Sequence, residues 1–153
     1  MRSPKPALFL TMVAAGACVP LAAKAAPPAQ IAPTPPPGKG EIVFFRHGSV
    51  LDGPVSCAVH ENDAKVSSLP IGHYFVLAAE PGKHRYAVES EARDTINLQV
   101  ESGEVQYVSC HIKMGVVVGR PVLVPATEAQ FTAKKLKEVE PAKVTAAPAP
   151  PPS

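Results

Sequence analysis

The chain has 153 residues and a formal net charge of +2 at pH 7, and this length allows one domain. Three of its cations and none of its acids lie in the first 25 residues, so 12 cations and 13 acids remain beyond that point. No basic stripe or row of aromatic residues is left there, and this composition argues against nucleic-acid binding.

Residues 1–25 have the pattern of a secretory signal peptide. A positively charged start precedes an uncharged apolar run, and Ala23–Ala25 fits a small-x-small site, which predicts cleavage after Ala25. An alternative is lipidation, because Ala15–Cys18 is a loose bacterial lipobox whose Cys18 would carry the lipid. Simple cleavage predicts a periplasmic protein. Lipidation at Cys18 predicts an outer-membrane lipoprotein, and this anchor is the only membrane contact we expect.

Proline-rich segments lie on both sides of a central part of ordinary composition. Residues 26–39 are predicted to be a disordered linker with extended, semi-rigid stretches, and residues 140–153 a disordered tail rich in proline and alanine. Residues 40–139 are predicted to form the folded domain, which at this size can bury one core.

Short strands separated by turn residues fill the predicted domain. Gly72–Ser90 is the central stretch: the runs Tyr74–Ala79 and Tyr86–Val88 flank Pro81-Gly82, which suits a tight reversal and predicts a β-hairpin. The other predicted strands are Glu41–His47, Val55–Glu61, Lys65–Leu69, Thr95–Val100 and Val105–Lys113, with Val116–Val118 and Val122–Val124 as edge or connecting strands.

One short helix is predicted after these strands. Thr127 can cap it, Gln130 completes a capping box, and Lys134 and Lys135 suit its last turn. We expect it to lie on the sheet edge. No segment between strands is long enough for a crossover helix, so the pattern predicts a mainly β fold, an antiparallel β-sandwich of about seven to eight strands with one short C-terminal helix.

The cysteines give the strongest chemical signal. If Cys18 leaves with the signal or is lipidated, Cys57 and Cys110 remain as an even pair in an exported protein. Both lie on the apolar side of their predicted strands. We therefore predict a Cys57–Cys110 disulfide between two strands of the sandwich; the alternative is two buried free thiols that do not meet.

No catalytic, metal-binding or cofactor-binding residues are predicted. The five histidines, His47, His60, His73, His84 and His111, lack the spacing of a zinc site, and His84 is interpreted as a turn residue that donates to a carbonyl. The group Glu89, Glu91, Arg93 and Asp94 is interpreted as a charged turn, and no nucleophile elbow is present. The chain is therefore not expected to be an enzyme.

Several short motifs resemble those of the bacterial "domain of unknown function 2846" family. They are Phe44-Phe45-Arg46, Gly72 with Tyr74-Phe75, Pro81–His84, Gly103 with Tyr107-Val108, Met114-Gly115 and the charged segment Thr127–Leu136. Two features differ: Asn62-Asp63-Ala64 replaces the usual Asp-Gly turn, and Cys57 and Cys110 do not belong to the pattern.

The resemblance implies an exported or lipoprotein-like envelope protein with an immunoglobulin- or prealbumin-like sandwich, and it implies no known activity. We therefore expect an exported cell-envelope protein that acts as a non-catalytic binding or structural module. Its expected partner is an envelope protein or a glycan. The alternative is a small periplasmic hydrolase or metal-binding protein.

Overall fold

A computed structural model of the chain describes residues 33–48, 55–116 and 119–141. The predicted signal peptide, Ala25, Cys18 and most of both proline-rich segments lie outside the described residues. The strands are β1 (Gly40–Arg46), β2 (Cys57–Glu61), β3 (Ala64–Leu69), β4 (His73–Ala79), β5 (Gly82–Glu89), β6 (Arg93–Val100), β7 (Val105–Lys113), β8 (Arg120–Ala126) and β9 (Lys137–Glu138). A single helix is found in these ranges, α1 (Glu128–Thr132), and no helix among them is long and apolar enough to cross a membrane.

The strands form two sheets. The first has the order β8-β7-β1-β4-β9, and the second has the order β3-β2-β5-β6. Most neighbours are antiparallel, as predicted, but β1 runs parallel to β7 and β4 runs parallel to β9. The prediction of an antiparallel arrangement is therefore wrong for the first sheet, which is mixed because β1 is antiparallel to β4 but parallel to β7.

One core joins the two sheets. Its buried members come from the eight strands β1 to β8 of both sheets: Ile42, Phe44, Cys57, Val59, Val66, Leu69, Phe75, Ala79, Tyr86, Val88, Ile96, Val100, Val108, Cys110 and Leu123. Phe44 of the first sheet contacts Tyr86 of the second at a ring-centroid distance of 4.9 Å. The two sheets therefore pack face to face, and the prediction of a mainly β fold is confirmed.

The predicted hairpin around Pro81-Gly82 is wrong. Strand β4 pairs with β1 and β9 in the first sheet, whereas β5 pairs with β2 and β6 in the second. Strand β4 has partners on both sides in the first sheet, and β5 has β6 along its length and β2 beside its second half, so Glu80-Pro81 carries the chain from one sheet to the other. A two-residue hairpin occurs instead between β2 and β3, where Asn62 and Asp63 both have positive φ (46° and 70°), as a type I′ turn requires.

Strand β1 is buried along its whole length. Phe44 faces the shared core, while Val43 and Phe45 face outward and pack beneath Phe131 of α1 in a second, smaller core. The predicted capping box of Thr127 and Gln130 is confirmed. The helix ends at Thr132, so Lys134 and Lys135 lie beyond it, and it covers the outer face of the first sheet rather than its edge.

The buried side chain of Arg46 ties the two sheets together at the end of β1. Its guanidinium donates to the backbone carbonyl of Leu69, 3.4 Å away, and to that of Val55. Leu69 ends β3 in the second sheet, so an arginine of the first sheet satisfies backbone acceptors beside the second.

Gly40 begins β1 at a close approach to the β6–β7 turn. A Cβ atom there would meet the side chain of Val100 and lie 2.6 Å from the carbonyl oxygen of Glu101. We expect Gly40→Ala to lower the free energy of unfolding by about 1–3 kcal/mol, the usual cost of overpacking. Urea unfolding measures this loss. Gly103→Ala is the control: a Cβ atom there meets no atom within 4 Å, but the residue has φ of +79°, so this variant reports backbone strain and Gly40→Ala reports crowding.

Candidate functional site

Cys57 and Cys110 meet across the shared core. The structure places their sulfur atoms at bonding distance, with Cα atoms 6.6 Å apart and a sequence separation of 53. Cys57 lies on β2 of the second sheet and Cys110 on β7 of the first, and both are buried. The pair therefore links the two sheets, as the sequence predicts. Oxidation of the two thiols in the cell stays a prediction.

The carboxylates of the charged turn make structural contacts. Glu91 accepts a hydrogen bond from the backbone N–H of Val116, and Asp94 accepts one from Leu123, both at 2.9 Å. Arg93 contacts Glu89, with Nε 3.1 Å from Oε1, and also Asp63 in the β2–β3 turn. These bonds hold the β5–β6 turn to neighbouring segments, as expected of a charged turn.

The histidines lie at different places in the fold. Within residues 33–48, 55–116 and 119–141, no group of three or more His, Cys, Asp or Glu residues could hold a metal ion. His47 and His111 line one cavity of about 180 Å³ beneath α1, together with buried Ser109. His73 bonds through Nδ1 to the carbonyl oxygen of Ile71 at 2.8 Å.

A polar group lies at one end of the shared core, next to the crossing between the sheets. The Nδ1 atom of His84 is 2.7 Å from Oε1 of Glu61, and its Nε2 atom is 2.7 Å from the carbonyl oxygen of Glu80. Tyr86, two positions along β5, is fully buried with its ring stacked against His84 at 6.1 Å. We call Glu61, His84 and Tyr86 the core-end group.

The geometry of the core-end group favours a charged histidine. Both ring nitrogens of His84 face acceptors, and only the doubly protonated ring can donate to both. Burial lowers the pKa of His84, but the Glu61 carboxylate and the Glu80 carbonyl outweigh burial and raise it above the ordinary value of 6.5. Burial, and then the charge of Glu61, raise the pKa of Tyr86 far above its ordinary value, so this phenol stays neutral.

This arrangement predicts a pH dependence of stability. Because the pKa of His84 is higher in the folded state, its contribution is complete below pH 6.5 and disappears as the pH rises through the folded value. Urea midpoints across this range should fall with rising pH in the native protein and change less in Glu61→Gln. An NMR titration should give His84 a pKa above 6.5; a lower value would contradict the interpretation.

A cavity of about 450 Å³ lies beside the core-end group, where β2 ends and part of β5 has no neighbour on that side. Its lining residues come from the β2–β3 turn, β5 and β6: Asn62, Lys83, His84, Arg85, Asn97, Leu98 and Gln99. Lys83 pairs across the strands with Gln99, and Arg85 pairs with Asn97. We call this the β5–β6 cavity. Its wall presents two cations and three amides.

The sequence pattern predicts neither the contact of Glu61 nor this cavity. His84 is predicted to donate to a carbonyl, and its contact with the Glu80 carbonyl confirms that part. Glu61 shares the inward parity of Cys57 and Val59 on β2, so an inward carboxylate was a visible signal. The partner of Glu61 could not be found from the sequence, because it depends on the pairing of β2 with β5, which places Glu61 opposite Tyr86 and which the sequence did not predict.

Comparison with known families gives one match. The model of the family described as "Protein of unknown function (DUF2846)" matches residues 36–121, more than half of the chain. The chain belongs to the DUF2846 family. The matched part of this DUF2846 protein runs from the turn before β1 to the start of β8, and it contains the core-end group, the β5–β6 cavity and both core cysteines. No curated protein and no solved structure matches the chain.

Proposed function

We propose that this DUF2846 protein is an exported cell-envelope protein that acts by binding or structural contact rather than by catalysis. The observation that carries the proposal is the buried Cys57–Cys110 pair, whose sulfur atoms lie at bonding distance between the two sheets. Disulfides persist in oxidising compartments such as the periplasm and are rare in the cytosol. The signal-like residues 1–25 point to the same compartment.

The fold that we propose for this role is an immunoglobulin- or prealbumin-like sandwich. Two sheets around one core, with a cysteine pair between them, are the features that support it. The proline-rich residues 26–39 would hold such a domain away from the membrane or wall.

Binding is favoured over catalysis because the carboxylates make structural contacts and the cavity is lined by amides and cations. Glu91 and Asp94 hold backbone N–H groups, and Glu61 is occupied by His84. The β5–β6 cavity instead presents amide and cationic side chains, which bind ligands well but include no activated nucleophile. An envelope protein or a glycan is the proposed class of partner.

Export and thiol state can be tested together on protein recovered from its own host. We expect the chain in the envelope fraction, with no free thiol at Cys57 or Cys110 before reduction and two after it. Intact mass then separates a chain beginning at Ala26 from one with a lipid on Cys18. Recovery from the cytoplasm with two free thiols would refute the proposal.

The alternative of a metal-binding protein has one supporting observation, the cavity shared by His47 and His111. Elemental analysis of the purified protein tests it. Stoichiometric zinc or copper that is lost in His111→Ala would favour this alternative over the binding module.

A further inference from the structure

We propose that the β5–β6 cavity binds an acidic sugar, that is, a sugar ring carrying a carboxylate. This inference rests on the proposed function, because an exported binding module would meet envelope glycans. The cavity volume of about 450 Å³ lies within the range of roughly 300–1,000 Å³ typical of small-molecule sites. The lining groups and the charge they leave uncompensated indicate the chemistry of the ligand.

The lining groups are arranged in two rows by the pairing of β5 with β6. Lys83 and Arg85 are two positions apart, so they lie on the same outward face, opposite Gln99 and Asn97 respectively. All four side chains are exposed. A ligand on this face therefore meets two cations on one strand and two amides on the next.

The two cations keep their charge available for a ligand. Among the described residues, neither Lys83 nor Arg85 takes part in an ion pair. Of the nearby acids, Asp63 contacts Arg93 and feels the charge of Arg85 more weakly, and Glu61 contacts His84. The cavity wall is thus net positive, and an arginine beside a lysine suits a carboxylate, which the guanidinium can bind through two hydrogen bonds.

The remaining groups fit hydroxyls better than a peptide. The amides of Asn62, Asn97 and Gln99 each offer donors and an acceptor, the combination that several neighbouring hydroxyls require. Among the described residues of this lining Leu98 alone is apolar, so the lining suits hydroxyl groups better than an apolar peptide side chain. At this edge of β6 the Gln99 carbonyl already accepts from the Gln106 side chain at 2.6 Å, so one acceptor that an added peptide strand would use is taken.

The test uses two sugars that differ in one group. N-acetylmuramic acid carries a lactyl carboxylate that N-acetylglucosamine lacks. We would titrate each into ¹⁵N-labelled protein purified from the envelope of cells that express the full chain. We expect N-acetylmuramic acid to shift backbone amides of the lining residues with a saturable curve, and N-acetylglucosamine to bind about tenfold or more weakly, because one charge-assisted contact is lost.

Variants assign the contact to the two cations. Arg85→Gln and Lys83→Gln should each weaken binding of N-acetylmuramic acid about tenfold, since each removes a cation and keeps most of the side chain. Lys113→Gln, an exposed cation of the first sheet, is the matched control and should leave binding unchanged. Unfolding curves should show that all three variants are folded, because the three positions are exposed.

Three results would overturn the inference. Equal binding of the two sugars would exclude the carboxylate, and shifts outside the lining residues would exclude this cavity. Binding of acetyl-D-alanyl-D-alanine without binding of N-acetylmuramic acid would assign the cavity to a peptide carboxylate. Each of these leaves the proposed envelope role standing if the thiols are oxidised in the envelope fraction, whereas free thiols in a cytoplasmic protein refute that role whatever the sugar does.

Discussion

Reducing the Cys57–Cys110 bridge should lower the melting temperature of the domain by about 10–30 °C. The bridge closes a loop with a sequence separation of 53 residues, and for a loop of this size the chain-entropy model predicts about 4 kcal/mol, with 2–4 kcal/mol typical. A domain of this size loses about 4–8 °C per kcal/mol. Calorimetry with and without reductant measures the difference.

Variants separate the bond from the packing of the two cysteines. The double variant Cys57→Ala, Cys110→Ala should melt near the reduced protein and should not respond to reductant. Cys57→Ala alone should leave Cys110 able to form intermolecular dimers, visible on non-reducing gels. Two titratable thiols in denatured, unreduced protein from the periplasm would contradict the bridge and leave the pair as two adjacent buried thiols.

Much of the local structure could be predicted because it depends on nearby residues. The bounds Val105–Lys113 are those of β7, and the capping box of Thr127 and Gln130 is present as expected. Both follow from short-range rules: alternation of side chains along a strand, and hydrogen bonds at the first turn of a helix. The inward parity of Cys57 and Cys110 has the same origin, and together with the even cysteine count and the predicted export it led to their pairing.

The pairing of strands could not be predicted, because it depends on the whole chain. Pro81-Gly82 indicates a turn, but a crossing between two sheets and a hairpin within one sheet carry the same local signal. In the structure β4 pairs with β1, whereas β5 pairs with β2 and β6, so the two strands lie in different sheets. A wrong strand pairing makes the core-end group impossible to predict, because Glu61 contacts His84 only when β2 lies beside β5.

Strand β1 shows a second limit of sequence patterns. A half-buried strand alternates apolar and polar residues, whereas β1 is buried on both faces and reads as an almost continuous apolar run. Such a run does not say what covers the second face. Here it is Phe131 of α1, almost ninety positions later, with rings of Phe45 and Phe131 5.6 Å apart.

The largest effect of a single core substitution is expected at Phe44. Its ring stacks on Phe75 at 5.0 Å in the first sheet and meets Tyr86 edge-on at 4.9 Å in the second. Phe44→Ala should lower the free energy of unfolding by about 3–5 kcal/mol, because it removes a fully buried ring and leaves a cavity between the sheets. That is a large part of the roughly 5–15 kcal/mol that stabilises a typical domain.

A matched substitution at the neighbouring Phe45 tests whether the effect comes from the shared core or from the loss of any buried ring. Phe45 is equally buried but faces α1, so Phe45→Ala should release the helix while the contact between the sheets remains. Hydrogen exchange shows the difference: in Phe44→Ala protection should fall in both sheets, and in Phe45→Ala mainly in α1 and β9. Phe44→Leu should recover most of the stability, because it refills most of the lost volume. If Phe44→Ala unfolded no more easily than Phe44→Leu, Phe44 would not join the two sheets, and the shared core would have to be held together by the cysteine pair and the aliphatic residues around it.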